Sequence, residues 1–329
     1  MEHVRLGRSG LPVSRLCLGT MTFGLQCDER TSVAILDRAL DGGITFVDTA
    51  DVYPLGGDLS TVGRTEEILG RALEGRRHEV ILATKCTMPM GPHPWQAGTS
   101  RKHVLDAVDD SLRRLRTDYV DLYQLHFDDR LTPLDETLGA LDDVVRTGRA
   151  RYVGVSNWAA WRVARAVGRA ELLRTAPITS VQPRYNLLFR AFERDLFPLC
   201  LDEGIGVIPY NPIAGGLLSG KHDRRADAPE GRFTLGNVGG MYRSRYWHDR
   251  EFDTVDALRP LADGAGISLV QLALGWVLAQ PAVTAPIVGA SRPEQLDDAL
   301  AASAAPLERD LLDKLDELTL DWRRSDAER

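Results

Sequence analysis

Short apolar runs alternate with amphipathic stretches along most of this chain. The runs have the length and composition of buried strands, and most of them stop at a polar residue. Eight strands are predicted in this way, at residues 16–19, 44–48, 80–85, 120–126, 152–156, 178–182, 205–210 and 285–288. Residues 4–16 add two short strand segments around the turn at 7–10, which predicts an N-terminal hairpin.

Each of the eight strands is followed by apolar positions at helical spacing. After the first strand, Val33, Leu36, Ala39 and Leu40 share one helix face, and Thr31 is predicted as the N-cap. The other predicted helices cover residues 65–73, 102–115, 134–146, 160–170, 191–203, 255–264 with 269–279, and 294–301. Leucines from residue 307 onward predict one further helix near the C-terminal end.

This alternation predicts a parallel sheet built from right-handed βαβ crossovers. Eight units close a barrel, so we expect a (β/α)8 TIM barrel in a single domain, residues 1–329. An open doubly wound sheet is the alternative, but the chain lacks the Gly-x-Gly-x-x-Gly turn of a dinucleotide-binding sheet. Residues 215–251, after strand seven, are predicted as a long loop that acts as a lid or binding loop.

Composition narrows the class of protein. The 329 residues are 43% hydrophobic and carry a formal charge of −7, which argues against nucleic acid as the main partner. No secretory signal and no apolar stretch of membrane-spanning length are found, so no membrane partner and a cytoplasmic location are expected. The four scattered cysteines indicate reduced thiols, with neither a disulfide framework nor a zinc pattern.

Ionisable side chains stand at the ends of neighbouring predicted strands. Strand two ends at Asp48 with Tyr53 just beyond it, strand three ends at Lys85, and strand four ends at His126. Each has an ordinary alternative: a turn-capping Asp, a surface Tyr, a Lys that reaches water, or a satisfied core His. Lysine is rare in this chain, however, and strand ends of a barrel converge on one mouth, so we expect the four to meet.

Together these groups suit the reduction of a carbonyl. A free phenol has a pKa of about 10, and a neighbouring Lys85 is expected to lower the pKa of Tyr53. Asp48 would neutralise Lys85, and His126 would hydrogen-bond the carbonyl oxygen. No side chain is an evident nucleophile and no cluster has metal-ligand spacing, so the attacking species should be a hydride brought by a cofactor.

At this point the chain resembles the aldo-keto reductases over nearly its whole length. The similarity includes Asp-Thr-Ala-Asp-Val-Tyr at 48–53 and Gly-Val-Ser-Asn at 154–157. Further matching stretches are residues 6–14, 19–24, 65–70, 83–85, 182–188, 215–221 and 288–292, in the order of the family. The resemblance implies a barrel with the catalytic tetrad Asp48, Tyr53, Lys85 and His126.

The resemblance also implies a nicotinamide cofactor, usually NADPH, across the barrel mouth. Ser156, Asn157 and Gln182 would hold its carboxamide, and Tyr210 would stack on the ring. The remaining implied cofactor residues are Gly19, Thr20, Met21, Asp48, Asn211, Pro212, Ile213, Ala214, Gly215, Leu217, Lys221, Arg232, Gly289, Ser291, Arg292, Gln295 and Asp298. Lys221, Arg232 and Arg292 favour a 2′-phosphate, with solvated surface charge as the alternative. Asn211 and Ala299 depart from the residues common in relatives.

Three functions are compatible with this reading. The first is an NADPH-dependent reductase of aldehydes or ketones, with Tyr53 as general acid. The second is an NADPH-binding redox sensor resembling potassium-channel β-subunits, and the third uses Lys85 as a Schiff-base lysine. A substrate pocket is expected from Phe23, Tyr53, Trp95, His126, Tyr242, Tyr246 and Trp247. The sequence leaves open a sugar, an aromatic aldehyde or a secondary-metabolite ketone as substrate, and it leaves the oligomeric state open.

Overall fold

The computed structural model describes residues 1–226 and 231–323. The predicted domain, 1–329, also includes residues 227–230 and 324–329, which lie outside the described residues. The predicted loop 215–251 spans the first of these gaps.

A parallel sheet of eight strands forms the centre of the fold. Its strands are β3 (Cys17–Gly19), β4 (Phe46–Asp48), β5 (Ile81–Cys86), β6 (Val120–Leu125), β7 (Ala150–Ser156), β8 (Ile178–Gln182), β9 (Gly206–Val207) and β10 (Ile287–Gly289). They are ordered β10-β3-β4-β5-β6-β7-β8-β9. The N–H of Ile287 donates to the carbonyl of Pro209 at 2.8 Å, and a parallel bridge joins Val207 to Val283, so the two ends of the sheet meet. The predicted (β/α)8 barrel is confirmed.

The predicted N-terminal hairpin is also confirmed. Strands β1 (His3–Arg5) and β2 (Pro12–Ser14) pair antiparallel outside the barrel sheet. The buried Leu6, Leu11 and Val13 pack against buried side chains in the barrel strands and directly beside β9 and β10. Those barrel side chains are Cys17, Phe46, Ala83, Leu122, Ile208, Ala285 and Ile287. The hairpin therefore helps to fill the barrel interior.

Helices surround the sheet and bury one face each. They are α1 (Glu29–Asp41), α2 (Arg64–Ala72), α3 (Arg101–Leu115), α4 (Leu134–Arg146), α5 (Ala160–Leu173), α6 (Leu196–Glu203), α7 (Gly239–Tyr246), α8 (Asp249–Ala265), α9 (Leu269–Leu278), α10 (Asp297–Ala304) and α11 (Arg309–Leu318). In α4 the buried Leu134, Leu138, Leu141 and Val144 recur at helical spacing, which explains why the sequence predicted this helix well.

Three local predictions were wrong. Helix α1 begins earlier than expected, because the carboxylate of Asp28 accepts the N–H of Thr31 at 2.8 Å and is the N-cap in place of Thr31. The helix predicted at 191–203 is a 3-10 turn, Ala191–Glu193, followed by α6. Strand β9 has two residues instead of six, and Pro209 in that segment lacks a donor for a ladder.

The segment after β9 is more ordered than a loop. It contains a 3-10 helix at Gly236–Val238, all of α7 and the start of α8. Tyr242 and Tyr246 of α7 are buried, so packing of aromatic side chains stabilises a helix that begins with two glycines. The long connection predicted after strand seven is present, and part of it is helical and packed.

Among the described helices, no single one is long and apolar enough to cross a membrane. Helices α8 and α9 pass that test only as a pair, and they are bent by 90° at the break between them.

Candidate active site

The four predicted ionisable side chains lie together at the C-terminal ends of neighbouring strands. Asp48 is the last residue of β4, Lys85 lies near the end of β5, and His126 directly follows β6. The Lys85 Nζ donates to Asp48 Oδ2 at 2.6 Å and to the Tyr53 hydroxyl at 3.4 Å. The rings of Tyr53 and His126 meet edge to face, with centroids 5.7 Å apart.

Tyr53 is placed by the turn that follows β4. The N–H groups of Thr49 and Asp51 donate to the carbonyls of Ala83 and Lys85, at 2.9 and 3.0 Å. The Tyr53 N–H then closes the turn by donating to the carbonyl of Ala50 at 3.1 Å. These bonds attach the turn to β5 and bring the ring of Tyr53 to 4.8 Å from the Lys85 ammonium.

Lys85 is a fully buried cation with all three donors engaged. Its third partner, after Asp48 and Tyr53, is the carbonyl of Thr49 at 2.7 Å. Desolvation is the largest influence on the pKa of Lys85 and lowers it, but Asp48 and Tyr53 together raise that pKa above its ordinary value. A protonated amine with three acceptors is a poor imine-forming nucleophile, so this geometry argues against the Schiff-base reading.

The predicted acidification of Tyr53 was wrong as a net effect. Burial raises the pKa of Tyr53 above its ordinary value, and the opposing influence of Lys85 is smaller. The phenol is only 7% exposed, a degree of desolvation that the sequence could not supply. Tyr53 is consequently a phenol and not a phenolate at neutral pH, and it has a proton to donate.

His126 is a neutral imidazole in this site. Burial, with a smaller contribution from the Lys85 charge, holds the pKa of His126 well below its usual range. Its backbone N–H donates to the carbonyl of Cys86 at 2.8 Å, and its Nδ1 has no hydrogen-bond partner within the described chain. The partly exposed ring of Phe127 stacks on it, with centroids 5.1 Å apart. A neutral imidazole offers one N–H donor to a ligand.

Two glutamines complete the surroundings of Asp48. Gln182 Nε2 donates to Asp48 Oδ1 at 2.9 Å, and Gln124 Nε2 donates to the same oxygen at 3.2 Å. Sequence reasoning gave Gln182 a different role and missed Gln124. The available signal was a polar residue inside the apolar run of β6, two positions before His126. Such a residue needs a buried partner.

The residues predicted around a nicotinamide form one hydrogen-bonded group. Asn157, with a left-handed φ of 60°, donates to the carbonyl of His126 at 3.0 Å and accepts from the Tyr210 hydroxyl at 2.8 Å. Ser156 Oγ donates to the carbonyl of Gln182 at 2.8 Å. Burial raises the pKa of Tyr210 to about 12, so this phenol is also protonated.

The next predicted group follows β9, where the backbone turns sharply. Asn211, Ala214 and Gly215 have left-handed φ values of 57°, 51° and 68°. Asn186, which sequence reasoning missed, donates from Nδ2 to the carbonyl of Asn211 at 2.8 Å. Asn211 Nδ2 is buried without a partner in the described part of the chain. Pro212 and Leu217 are buried, Ile213 is half-buried, and Lys221 is exposed.

Arg232 reaches across the mouth from this segment. Its Nη1 lies 3.1 Å from the Tyr242 hydroxyl and 3.6 Å from Met21 Sδ, so it contacts the loop after β3. Thr20 in that loop donates from Oγ1 to the carbonyl of Asp48 at 3.0 Å. The loop after β3 and the segment after β9 therefore approach each other above the tetrad.

The last predicted cofactor group follows β10. Gly289 pairs with Gly19 at the ends of their strands, and Gln295 Oε1 accepts the Ser291 N–H at 2.8 Å. Ser291 and Arg292 are exposed. Asp298 instead accepts hydrogen bonds from Ser268 and Gln271 at the start of α9. This carboxylate is thus engaged in capping a helix.

The predicted substrate residues divide into two sets. Tyr53 and His126 lie together in the tetrad. Phe23 is 1% exposed and packs in the hydrophobic core, while Trp95 is 52% exposed and stacks on His93. Tyr242 and Tyr246 are buried, and Trp247 packs among aromatic rings of its own segment and α8.

The donor set fits a nicotinamide dinucleotide. Free amide hydrogen-bonding capacity at Asn211, amides at Asn157 and Gln182, and left-handed backbone after β9 provide polar contacts and close backbone approach. Within residues 1–226 and 231–323, no group of three or more His, Cys, Asp or Glu side chains could hold a metal ion. The four cysteines are buried and unpaired.

Comparison with known proteins gives one consistent result. The model of the Aldo/keto reductase family matches residues 15–319. The chain is 39% identical to the uncharacterized oxidoreductase YrpG of Bacillus subtilis (strain 168), over 97% of this chain and 96% of the relative. It is 36% identical to a probable voltage-gated potassium channel subunit beta of Arabidopsis thaliana, with the same coverage. It is 35% identical to the versiconal hemiacetal acetate reductase of Aspergillus parasiticus, over 96% of both chains.

Proposed function

This chain belongs to the aldo/keto reductase family, and from that premise we propose that it is an NADPH-dependent enzyme that reduces an aldehyde or ketone to an alcohol. The observation that carries the proposal is the position of the Lys85 Nζ between Asp48 Oδ2 at 2.6 Å and the Tyr53 hydroxyl at 3.4 Å. This arrangement stands at the strand ends of a barrel, where the chemistry of such folds is located.

The proposed chemistry assigns a step to each side chain. A bound nicotinamide would supply the hydride that reduces the carbonyl carbon. Tyr53 donates its phenolic proton to the carbonyl oxygen as negative charge develops there. His126, a neutral imidazole, donates a hydrogen bond to the same oxygen and orients it. Lys85 stabilises the phenolate that Tyr53 becomes, and Asp48 keeps Lys85 in place.

Because Tyr53 is buried, its ionisation during proton transfer depends on the Lys85 ammonium. A desolvated phenol resists ionisation, so proton transfer depends on a cation that is already aligned with its oxygen. The three acceptors around Lys85 fix the ammonium in that alignment. The site is therefore arranged before substrate arrives, which avoids reorganisation during the reaction.

NADPH is proposed over NADH because of the charges near the mouth. Lys221, Arg232 and Arg292 come from the segment after β9 and the strand end of β10, the region where barrels of this class hold phosphate. Guanidinium groups match the oxygens of a 2′-phosphate. Comparing the Kd of NADPH and NADH for the wild type and Arg292→Gln tests this part. If the ratio of the NADPH and NADH Kd values is the same in the wild type and in Arg292→Gln, the proposed role of Arg292 in binding the 2′-phosphate is contradicted.

A substrate panel tests the enzyme proposal directly. NADPH consumption is followed with aldehydes and ketones of the sugar, aromatic and polycyclic classes, at steady state. Tyr53→Phe removes the proton donor and keeps the ring, so turnover should fall by at least about a hundredfold, the lower range expected for loss of a general acid. NADPH should bind both proteins with similar affinity. Full activity of Tyr53→Phe would overturn the assignment.

The similarity to a potassium-channel β subunit supports a second candidate, an NADPH-binding sensor with slow or no turnover. The tetrad geometry is compatible with this function as well as with an enzyme. Stopped-flow oxidation of bound NADPH separates the two. An enzyme should consume many equivalents of NADPH with at least one carbonyl class, whereas a sensor should stop after one slow equivalent.

We further propose that residues 1–329 form one domain and that the protein works in the cytoplasm. The family model matches residues 15–319, nearly the whole chain. The four unpaired cysteines are typical of a reducing compartment.

A further inference from the structure

A small chamber lies beside the turn that follows β4. It is a cavity of about 130 Å³ between this turn, α3 and the segment at 90–96. Its lining residues are Asp51, Met90, Trp95, Gln96, Lys102, His103, Asp106, Ala107, Asp110 and Arg114. None of these side chains takes part in the reaction proposed above.

Asp51 is the unusual group in this chamber. Its residue is 0% exposed, yet no side chain among the described residues hydrogen-bonds its carboxyl oxygens, and the backbone N–H of Val52 is the donor beside them. Its backbone is fixed by the bond from its N–H to the carbonyl of Lys85. A buried carboxyl without a side-chain partner is costly, so its remaining acceptor capacity indicates a position where a ligand or water completes the site.

His103 adds a second free group to the same chamber. It is 3% exposed, and its Nε2 has no partner within residues 1–226 and 231–323. Burial lowers the pKa of His103 below its usual value, so the imidazole is neutral near pH 7 and Nε2 can accept a hydrogen bond. The chamber thus presents acceptors from the Asp51 turn and from α3.

The other charges of the lining already have opposite charges beside them. Lys102 pairs with Asp106 at 2.6 Å, and Arg114 Nε pairs with Glu66 Oε2 at 2.7 Å. Asp110 pairs with Arg113. Asp51 has no side-chain hydrogen-bond partner in the described chain, and Arg114 and Lys85 are the cations near enough to favour its ionised form.

We propose that this chamber binds a small organic cation with forked N–H donors, of the amidinium or guanidinium class. Two parallel N–H groups match the two oxygens of the ionised Asp51 carboxylate, the bidentate geometry that is strongest for a carboxylate. A further N–H can reach an acceptor such as His103 Nε2. Trp95, 52% exposed and stacked on His93, also lines the chamber.

Binding should depend on pH in a defined direction. Burial raises the pKa of Asp51 well above its usual range, and Glu66 raises it further, while Arg114 and Lys85 act in the opposite sense. His103 from α3, Cys86 from β5 and Tyr123 from β6 are the other titratable groups around it. Asp51 must release its proton to pair with a cation, so affinity should increase as pH rises.

Acetamidinium is the probe, measured by calorimetry on the full chain. Acetamide is its neutral counterpart of similar shape, and tetramethylammonium is a cation without N–H donors. We expect saturable binding of acetamidinium at one site, at least tenfold tighter than either control compound. Asp51→Asn should weaken acetamidinium binding by at least tenfold, whereas Asp41→Asn, at an exposed carboxyl on α1, should leave it unchanged.

Several outcomes would overturn the proposal. Absence of saturable binding would mean that the chamber holds water only. Equal binding of acetamide and acetamidinium would remove the role of charge, and equal loss in Asp51→Asn and Asp41→Asn would indicate surface binding. If Asp51→Asn does not fold, the acetamidinium affinity of His103→Leu and the pH dependence of acetamidinium binding by the wild type test the proposal instead. None of these measurements depends on reductase activity.

Discussion

At the scale of single residues, Lys85 connects the parts of the site. Its side chain has no exposed surface and joins the end of β4 to the turn that carries Tyr53. A buried ammonium is tolerated only with close acceptors, and Asp48 supplies the charged one. Stability and reactivity therefore depend on the same ion pair.

Replacing Lys85 with Met tests this dependence. The variant leaves the Asp48 carboxylate buried without its cation, and loss of one partner of such a pair costs about 3–5 kcal/mol. Asp48→Asn in the same chain removes the stranded charge and should recover most of that stability, as measured by urea denaturation. Activity should stay lost in both variants. A Lys85→Met protein as stable as the wild type would show that the pair contributes little to folding.

The residue scale also shows where the sequence was sufficient. The positions of Asp48, Lys85 and His126 at three strand ends were predictable, because strand ends of a barrel converge. The net pKa of Tyr53 was not predictable, because it depends on how completely the surrounding chain removes water from the phenol.

At the scale of elements, the segment 231–247, termed the strap, crosses the mouth of the barrel. Arg232 contacts Met21 on one side, and Leu235 and Gly236 pack against Gly56 in the loop beyond Tyr53. A Cβ built on Gly236 would lie 2.1 Å from the carbonyl oxygen of Gly56, and Gly236 has a left-handed φ of 42°. This close approach requires glycine.

Gly236→Ala should therefore move the strap away from Gly56. We expect NADPH affinity to fall by about tenfold, or about 1.4 kcal/mol, because Arg232 and Tyr242 lie on the displaced segment. Gly240→Ala is the matched control, since a Cβ at Gly240 meets nothing within 4 Å. Fluorescence titration of NADPH with both variants gives the comparison. Unchanged NADPH affinity in Gly236→Ala would show that the position of the strap does not affect cofactor binding.

Elements with a clear apolar face were predicted well, and the strap was not. Helix α4 has its predicted bounds, because one face of its sequence is continuously apolar. Helix α7 starts with glycines and is rich in arginine, so its local pattern favours a loop. Burial of Tyr242 and Tyr246 against distant parts of the chain stabilises it as a helix.

At the scale of the whole molecule, three histidines that the fold shields from water link stability to pH. The folded protein holds the pKa values of His103 and His126 below their ordinary value and lowers that of His222 to about 4, in each case chiefly by burial. The unfolded chain takes up protons below about pH 6.5, while the folded chain does not. Stability should therefore decrease as pH falls from 6.5 toward 4.

His222→Gln isolates one of these contributions. Asp51 acts in the opposite sense, since its raised pKa costs stability as pH rises above the unfolded value. Both proteins contain Asp51, so the difference between His222→Gln and the wild type does not include the contribution of Asp51. The urea midpoint of His222→Gln should change less between pH 6.5 and 4.5 than that of the wild type, and His78→Gln, at an exposed position, is the control. Equal pH dependence in all three proteins would refute the linkage.

The sequence by itself determined the barrel, its hairpin and the strand ends that carry Asp48, Lys85 and His126, because hydrophobic periodicity and the alternation of strands with helices can be followed along the chain. Only the tertiary structure decided which residues contact each polar side chain of the site. Gln124 against Asp48, Asn186 against Asn211 and the strap against Gly56 join residues far apart in the chain. The protonation of Tyr53 and the burial of Asp51 without a side-chain partner were also decided by the tertiary structure, because desolvation depends on everything packed around a group and on no single stretch of sequence.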